Sequence, residues 1–429
     1  MKKILPILFS LLMMNSTSYA MDLSLQQAID LTISNNNDIK ITQMQENVAR
    51  ANLKQVQGNN KFSVSLGSSV DASKTWDQSH STSASNRISA SLPLYTGGKN
   101  QAQIESSEIG IQTAELATER QRETKKLEVI RAYYNALEAR KNSEVDQESV
   151  DNYSAHLENV SQLYSAGATA RIDVLRSSVE LSNARQTLIQ SRNTYEVNLA
   201  TLRNLIGVDR SEPLNLVDDI SDSYYEIFNR SLENGTAYAH ENRKDLQSDL
   251  LSIEQKELSV KIAKSNYKPT INANAGASWG GTMTPNWGNW DPSISAGLSA
   301  SWNIFDHGVT RAEIESAEAE LESAKLTYAR DLDTVDLNLR TAYLNMREAE
   351  ARFNSTGQAV RQAEEDYFIA SEKYRVGEGL LLDIIDAQLA LSTARKNAIS
   401  ARYDYARYKA EVENLMGIGL TEHERGAVE

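Results

Sequence analysis

Residues 91–207 of this chain recur without a gap as residues 301–417, at a constant offset of 210. Ser91-Leu92-Pro93-Leu94-Tyr95 returns as Ser301-Trp302-Asn303-Ile304-Phe305, and Ala102-Gln103-Ile104-Glu105-Ser106 as Ala312-Glu313-Ile314-Glu315-Ser316. Tyr164, Gly167 and Asp173 return as Tyr374, Gly377 and Asp383. Solenoid repeats run to roughly 20–50 residues. A far longer period describes one large structural unit made twice and set beside itself.

Proline is absent from 99–205 and from 309–429. Glycine in those stretches is confined to Gly110, Gly167, Gly357, Gly377, Gly379, Gly417, Gly419 and Gly426. Proline breaks helices and glycine weakens them, so the pattern predicts very long helices, each broken once, at Gly167 and at Gly377-Glu378-Gly379. The run from Lys99 to Ser165 would alone span about 100 Å at roughly 1.5 Å per residue. Shorter helices, near 24–58 and 172–204, match that span if stacked end to end. The helices carry a heptad: Ile384, Leu391, Ala398, Tyr405 and Val412, with Ala387, Ala394, Ala401, Tyr408 and Leu415 three residues on. Val174, Leu181, Leu188, Tyr195 and Leu202 fill the same places in the first copy. A sustained period of seven means coiled-coil packing, and the many Ala and Ser seam positions allow close approach.

Four segments alternate with period two instead. Phe62, Val64, Leu66 and Val70 alternate with polar or small residues, as do Ile88, Ala90, Leu92 and Leu94. So do Ile271 to Trp279 and Ile294 to Ile304. About ten residues with one apolar face is the length of an outer-membrane strand. Tyr95, Trp279, Trp302 and Phe305 lie near the strand ends, where aromatic girdles sit. Polar loops are expected over 72–84 and 280–292. Residues 1–20 have the form of a signal peptide: Lys2 and Lys3, an apolar run from Ile4 to Met14, then Ser18-Tyr19-Ala20. The remaining boundaries are a first repeat over 21–212, an equatorial linker over 213–242, a second repeat over 243–420 and a tail over 421–429.

The fold class is therefore mostly α with a membrane β-barrel and an internal two-fold repeat. One chain supplies four strands, and an open sheet edge in lipid leaves backbone groups unpaired. About eight strands are the fewest that close. Three chains give twelve strands and a lumen with room for water, so a homotrimer is expected: a long coiled-coil α-barrel continuous with a twelve-stranded β-barrel. Two chains also close arithmetically.

On these features the chain resembles the TolC-like family of outer-membrane efflux and secretion ducts. The resemblance spans nearly the whole mature chain. It is carried by Leu25-Gln26-Gln27-Ala28-Ile29, by Leu92-Pro93-Leu94-Tyr95-Thr96-Gly97-Gly98, and by Tyr374-Arg375-Val376-Gly377 running into Leu382-Asp383-Ile384-Ile385-Asp386. It implies a trimeric duct from periplasm to exterior, gated at its periplasmic tip. It also implies docking to a periplasmic adaptor (membrane fusion protein) and an inner-membrane transporter, ABC or proton-driven. Drug efflux, metal efflux and type I secretion share this duct, so cargo is left open.

The resemblance assigns roles at the tips. Asp173 and Tyr374 match positions that pair across helices to hold the duct closed. Asp383 and Asp386 match acidic rings at the entrance; at i and i+3 they share one helix face. Aspartate in a first turn is also favoured by the helix dipole without any pore role. Arg176 stands where the second copy has Asp386, and can neutralise part of the ring or bridge to Asp173. Family members carry an arginine where this chain has Gly379, with Arg375 as the available substitute. Tyr164, Gly167, Gly377 and Gly379 are the expected adaptor-docking tips.

The net charge of −14 argues against nucleic-acid binding. There is no cysteine, and the five histidines are scattered, so no metal site or cofactor is expected. No nucleophile–base arrangement suggests an enzyme. The competing reading is a periplasmic coiled-coil adaptor without channel activity. Two full copies, each with its own strand hairpin, favour the duct.

Overall fold

The computed structural model describes residues 21–74, 76, 80–209, 213–217, 231–284, 288 and 290–420. The expected signal peptide and C-terminal tail lie outside them. In chain order the elements are β1 (Met21–Leu23), α1 (Leu25–Asn35), α2 (Asn37–Asn59), β2 (Ser63–Ser73), β3 (Ser81–Tyr95), α3 (Lys99–Ser165) and α4 (Arg171–Ile206). The second half follows with β4 (Leu214–Leu216), α5 (Leu232–Asn242), α6 (Lys244–Ser265), β5 (Thr270–Thr284), β6 (Asp291–Ser301), α7 (Val309–Arg375) and α8 (Leu381–Leu415). The two long helices are each 67 residues and start at equivalent positions.

The duplication reaches further than the 210-residue offset reveals. The stretch over 213–242, expected to be linker, contains β4 and α5, and α5 is the counterpart of α1 at an offset of 207. Both helices begin at a serine, Ser24 or Ser231, whose hydroxyl accepts the N–H of the third helical residue. Both end at one extended residue, Asn36 or Arg243, with near-identical φ and ψ. The two hairpins differ by three residues, and that shifts the frame. The expected single helix over 24–58 is correspondingly two helices, because Asn36 at ψ 128° interrupts the helical path.

The short helices do stack end to end along the long ones. Asp38 and Arg50 of α2 pair with Lys125 and Glu115 of α3, at 2.8 and 2.5 Å. Further along α3, Arg192 of α4 donates to Gln147 at 2.7 Å and Asn198 to the Asn135 carbonyl at 3.1 Å. The junction uses the same bond in each copy. Asn36 Nδ2 donates to the Leu205 carbonyl at 3.1 Å, and Arg243 Nη1 to the Leu415 carbonyl at 2.8 Å. Those carbonyls are orphans of a helix C-terminus. Each helix then turns at a left-handed glycine, Gly207 or Gly417.

Across the unit, the α2–α4 pair packs on α3, α3 packs on the α6–α8 pair, and that pair packs on α7. Arg395 of α8 spans both flanks, pairing with Glu148 of α3 at 2.5 Å and Glu364 of α7 at 2.8 Å. Arg407 of α8 reaches Glu138 of α3 and Asp404 of its own helix at 2.6 Å each, and Asp404 in turn pairs with Arg352 of α7 at 3.0 Å. The heptad residues Ile384, Ala387, Leu391, Ala401, Tyr405 and Val412 are buried in these seams. At the equator β1 and β4 pair in parallel, and Tyr133, fully buried, donates its hydroxyl to the Leu23 carbonyl at 2.9 Å.

β2, β3, β5 and β6 form one antiparallel sheet in that order. The loops are shorter than the sequence suggests. β3 already runs from Ser81 and β5 continues to Thr284, because hydroxyl-bearing residues there extend the ladder. At the other end β6 stops at Ser301, short of the expected 304, and Trp302 instead donates its indole N–H to the Tyr267 carbonyl at 2.9 Å. Among the described residues, no helix is long and apolar enough to cross a membrane.

Candidate functional site

The register sorts the sheet into two unlike faces. Leu66, Ile88, Ala277 and Ile294 are successive partners across the four strands, as are Val64, Ala90, Ala275 and Ala296. The opposite face is a lattice of serine and asparagine. Ser65–Ser89, Ser69–Ser85 and Ser278–Ser293 pair at 2.8–3.1 Å, and Asn274 links Ser91 to Ser299. A register shift between Pro93 and Tyr95 returns Tyr95 to the apolar side, opposite Ile271; a bulge re-aims a side chain in this way. The apolar side chains are bare: Leu66 is 69% exposed, Ile294 89% and Leu298 73%.

Both tips close by the same turn. Gly167 N–H bonds the Tyr164 carbonyl at 3.0 Å and Ala168 N–H the Leu163 carbonyl at 2.8 Å. Gly377 and Glu378 repeat this with Tyr374 and Lys373 at 3.1 and 2.9 Å. This double bond with a left-handed residue is the Schellman motif, in which glycine is unstrained; Gly167 and Gly377 have φ of 74° and 80°.

Equivalent positions in the two turns have different environments. Tyr164 is 46% exposed, whereas Tyr374 is 8% exposed. Tyr374 is enclosed by Val160 of α3, Ala370 of α7, and Leu381, Ile384 and Ala387 of α8. The His156 ring lies 5.2 Å from it, centre to centre. The structure brings Tyr374 and Asp173 together, but Asp173 Oδ2 accepts the Thr169 hydroxyl at 2.6 Å, while the buried Tyr374 hydroxyl has no hydrogen bond to it. Burial pushes the Tyr374 pKa up; Thr169 opposes the rise and the Asp173 charge adds to it. Tyr374 is held here by packing.

The other expected site residues fall as follows. Asp383 and Asp386 are both exposed on α8. Asp383 also accepts the Leu380 N–H at 3.3 Å, so it caps its own helix. Asp386 lies near Tyr153 of α3, whose pKa is pushed up to about 12 by burial first, then by Glu180, Tyr367 and Asp386. Arg176 is exposed on α4 and makes no ion pair within the chain among the described residues. Arg375, the available substitute for the missing arginine, is exposed and paired with Glu372 of its own helix at 2.7 Å. Gly379 has a positive reason to be glycine. A Cβ there would stand 2.8 Å from the Tyr374 nitrogen and 3.1 Å from the Lys373 carbonyl carbon. The loop folds back onto the last turn of α7, leaving no space for a side chain.

Sequence reading missed His156. Its signal is the spacing of His156, Val160 and Leu163 at i, i+4 and i+7, one helical face. Its Nε2 is buried with no hydrogen-bond partner, and burial lowers its pKa below the usual imidazole value. The packed tip therefore favours neutral His156, while a loosened tip takes up a proton near the ordinary pKa of about 6.5. Stability at the tip is full above that value and is lost as pH falls through the lowered one. Hydrogen exchange at the tip, corrected for its intrinsic pH dependence, is expected to quicken as pH falls from about 7.5 to about 5.5, on either side of that ordinary value, and to stay flat in His156→Phe, which keeps the ring contact. An equal change in both proteins would remove His156 from the pH response of the tip.

Among the described residues, no group of His, Asp and Glu could hold a metal ion. The model of the outer membrane efflux protein family matches residues 28–208 and 237–418, and the second stretch begins inside α5. The outer membrane protein TolC of Escherichia coli K12 is 22% identical over 434 residues, covering 97% of this chain and 87% of that protein. The fold matches the solved outer-membrane channel OprN at a TM-score of 0.79 and 20% identity, covering 92% of this chain and 90% of that one. It matches the Campylobacter jejuni CmeC outer-membrane channel at 0.77 and 18%, covering 94% and 90%. With both repeats matched from the first helices to the ends of α4 and α8, the chain belongs to the outer membrane efflux protein family.

Proposed function

We propose that three copies of this chain form a passive outer-membrane channel, gated at the Tyr374 tip, that serves as the exit duct of a tripartite efflux pump or type I secretion system. Family membership carries the outer-membrane location and a non-enzymatic, channel role. The observation that supports the oligomer is the pair of open edges. β2 and β6 are exposed along all eleven residues each. Below β2, the α2–α4 edge leaves Ile41, Met44, Val48, Val179, Ile189 and Val197 bare; below β6, α7 leaves Leu326, Leu337, Leu344 and Phe368 bare. Unpaired strand edges and apolar helix stripes on the two flanks are complementary, and a ring of copies covers both at once.

In that ring the apolar sheet face meets lipid, the serine face lines the lumen, and Phe62, Tyr95 and Trp302 mark the periplasmic interface. The exposed carboxylates Asp383 and Asp386 form acidic rings at the entrance, favouring cations. Tyr164, Gly167 and Gly377 present the tips to a periplasmic adaptor, and an inner-membrane transporter supplies the energy. The mass of the detergent-solubilised protein tests this. A trimer that gives discrete conductance steps in bilayers is expected; a monomer in mild detergent would sink it.

A further inference from the structure

The serine face of the sheet carries one basic side chain among the described residues, Arg87, near the middle of β3. The acids on that face, Asp71 and Asp291, lie toward the opposite end of the strands from the helices. Arg87 is exposed and has no hydrogen bond or ion pair among the described residues. Its cross-strand partners are Gly67 and Ser278. Gly67 has open space where a side chain would be, and the Ser278 hydroxyl is taken up by Ser293 at 2.8 Å. Among the described residues, nothing beside Arg87 neutralises it or fills the space next to Gly67.

We infer that Arg87 forms a basic ring within the barrel lumen that attracts small anions and the anionic groups of passing cargo. The inference extends the trimeric-channel reading above. Strands about 4.8 Å apart and tilted roughly 40° close twelve-fold into a cylinder about 24 Å across between backbones. An arginine extended inward from that wall brings its charge to within about one Debye length, roughly 8 Å, of the axis. Three such charges act across the whole cross-section, and the neighbouring hydroxyls and amides do not cancel them. In a chain of net charge −14, this is a local reversal of sign. Arginine rings select anions in pores, so the duct would present acids at its entrance and a base further along.

The absence of native cysteine permits a reporter for the local potential that is independent of the gate. Ser89→Cys, two residues along on the same face, is labelled from outside in intact cells with anionic and cationic methanethiosulfonates. With Arg87 present the anionic reagent is favoured. Arg87→Ser is expected to lower the anionic-to-cationic rate ratio about fivefold, and Arg87→Lys to preserve it. Serine matches the neighbours Ser85 and Ser89, so the variant keeps the sheet. A reactive Ser89→Cys whose ratio does not change in Arg87→Ser overturns the basic ring alone. An unreactive Ser89→Cys beside a reactive Ala90→Cys, on the opposite face, overturns the lumenal reading of the sheet as well.

Discussion

Tyr374→Ala is expected to open the resting channel, raising its bilayer conductance several-fold, while Tyr374→Phe stays near wild type. Removing a buried aromatic side chain costs about 3–5 kcal/mol through lost transfer energy and the cavity left behind. The loss falls on the cluster of Val160, Ala370, Leu381, Ile384 and Ala387 that joins three helices at the tip. Phenylalanine restores that volume and the contact with His156. Since the Tyr374 hydroxyl makes no hydrogen bond to Asp173, losing it is a small change. Asp173→Ala removes the acceptor of the Thr169 hydroxyl and is expected to have the lesser effect, on the scale of a helix cap, about 0.5–2 kcal/mol. Equal conductance increases in Tyr374→Phe and Tyr374→Ala would show that the hydroxyl, not the packing, holds the tip. Hydrogen exchange in 160–176 and 367–387, measured alongside, separates local opening from general unfolding.

Leu298→Arg is expected to abolish the heat-resistant oligomer, whereas Ser299→Arg, one residue away, leaves it assembled. The register alternates the two side chains between faces: Leu298 opposes Ala273 on the apolar side, and Ser299 opposes Asn272 on the serine side. A basic residue on the lipid face costs about 2–4 kcal/mol near the bilayer midplane, and a closed trimer incurs that cost in each chain. On the lumen side the same guanidinium remains in water. Gel mobility with and without heating, on outer-membrane extracts, reads the result. Assembly of Leu298→Arg and loss of Ser299→Arg would invert the two faces.

Much of this architecture was legible because it follows from local patterns. The bounds of α3 follow from the absence of proline and the glycines at either end. The alternating segments became β2, β3, β5 and β6, since period two admits no other regular element. The start of the second copy was not legible. α5 carries Gly235 where α1 has Ala28, and a three-residue difference in the hairpins breaks the frame, so only the shared serine caps and the shared bond to a C-terminal carbonyl identify it. The strand limits were missed at their hydroxyl-rich ends, where cross-strand serine pairs extend the ladder without an apolar signal.

At the tips, sequence similarity located the two turns but not the different surroundings of their tyrosines. Tyr164 and Tyr374 occupy the same place in matching turns, and the local difference, Leu381 where the first copy has Arg171, does not reveal that Val160 of α3 closes over Tyr374. The sequence by itself determined the elements: periods of two and seven, and where glycine and proline permit them to stop. Only the tertiary structure decided that α8 lies between α3 and α7, covering Tyr374, and that Arg87 faces open space beside Gly67. Those outcomes depend on which surfaces meet across separations of twenty to more than two hundred residues. Packing order and strand register, not local periodicity, set such contacts.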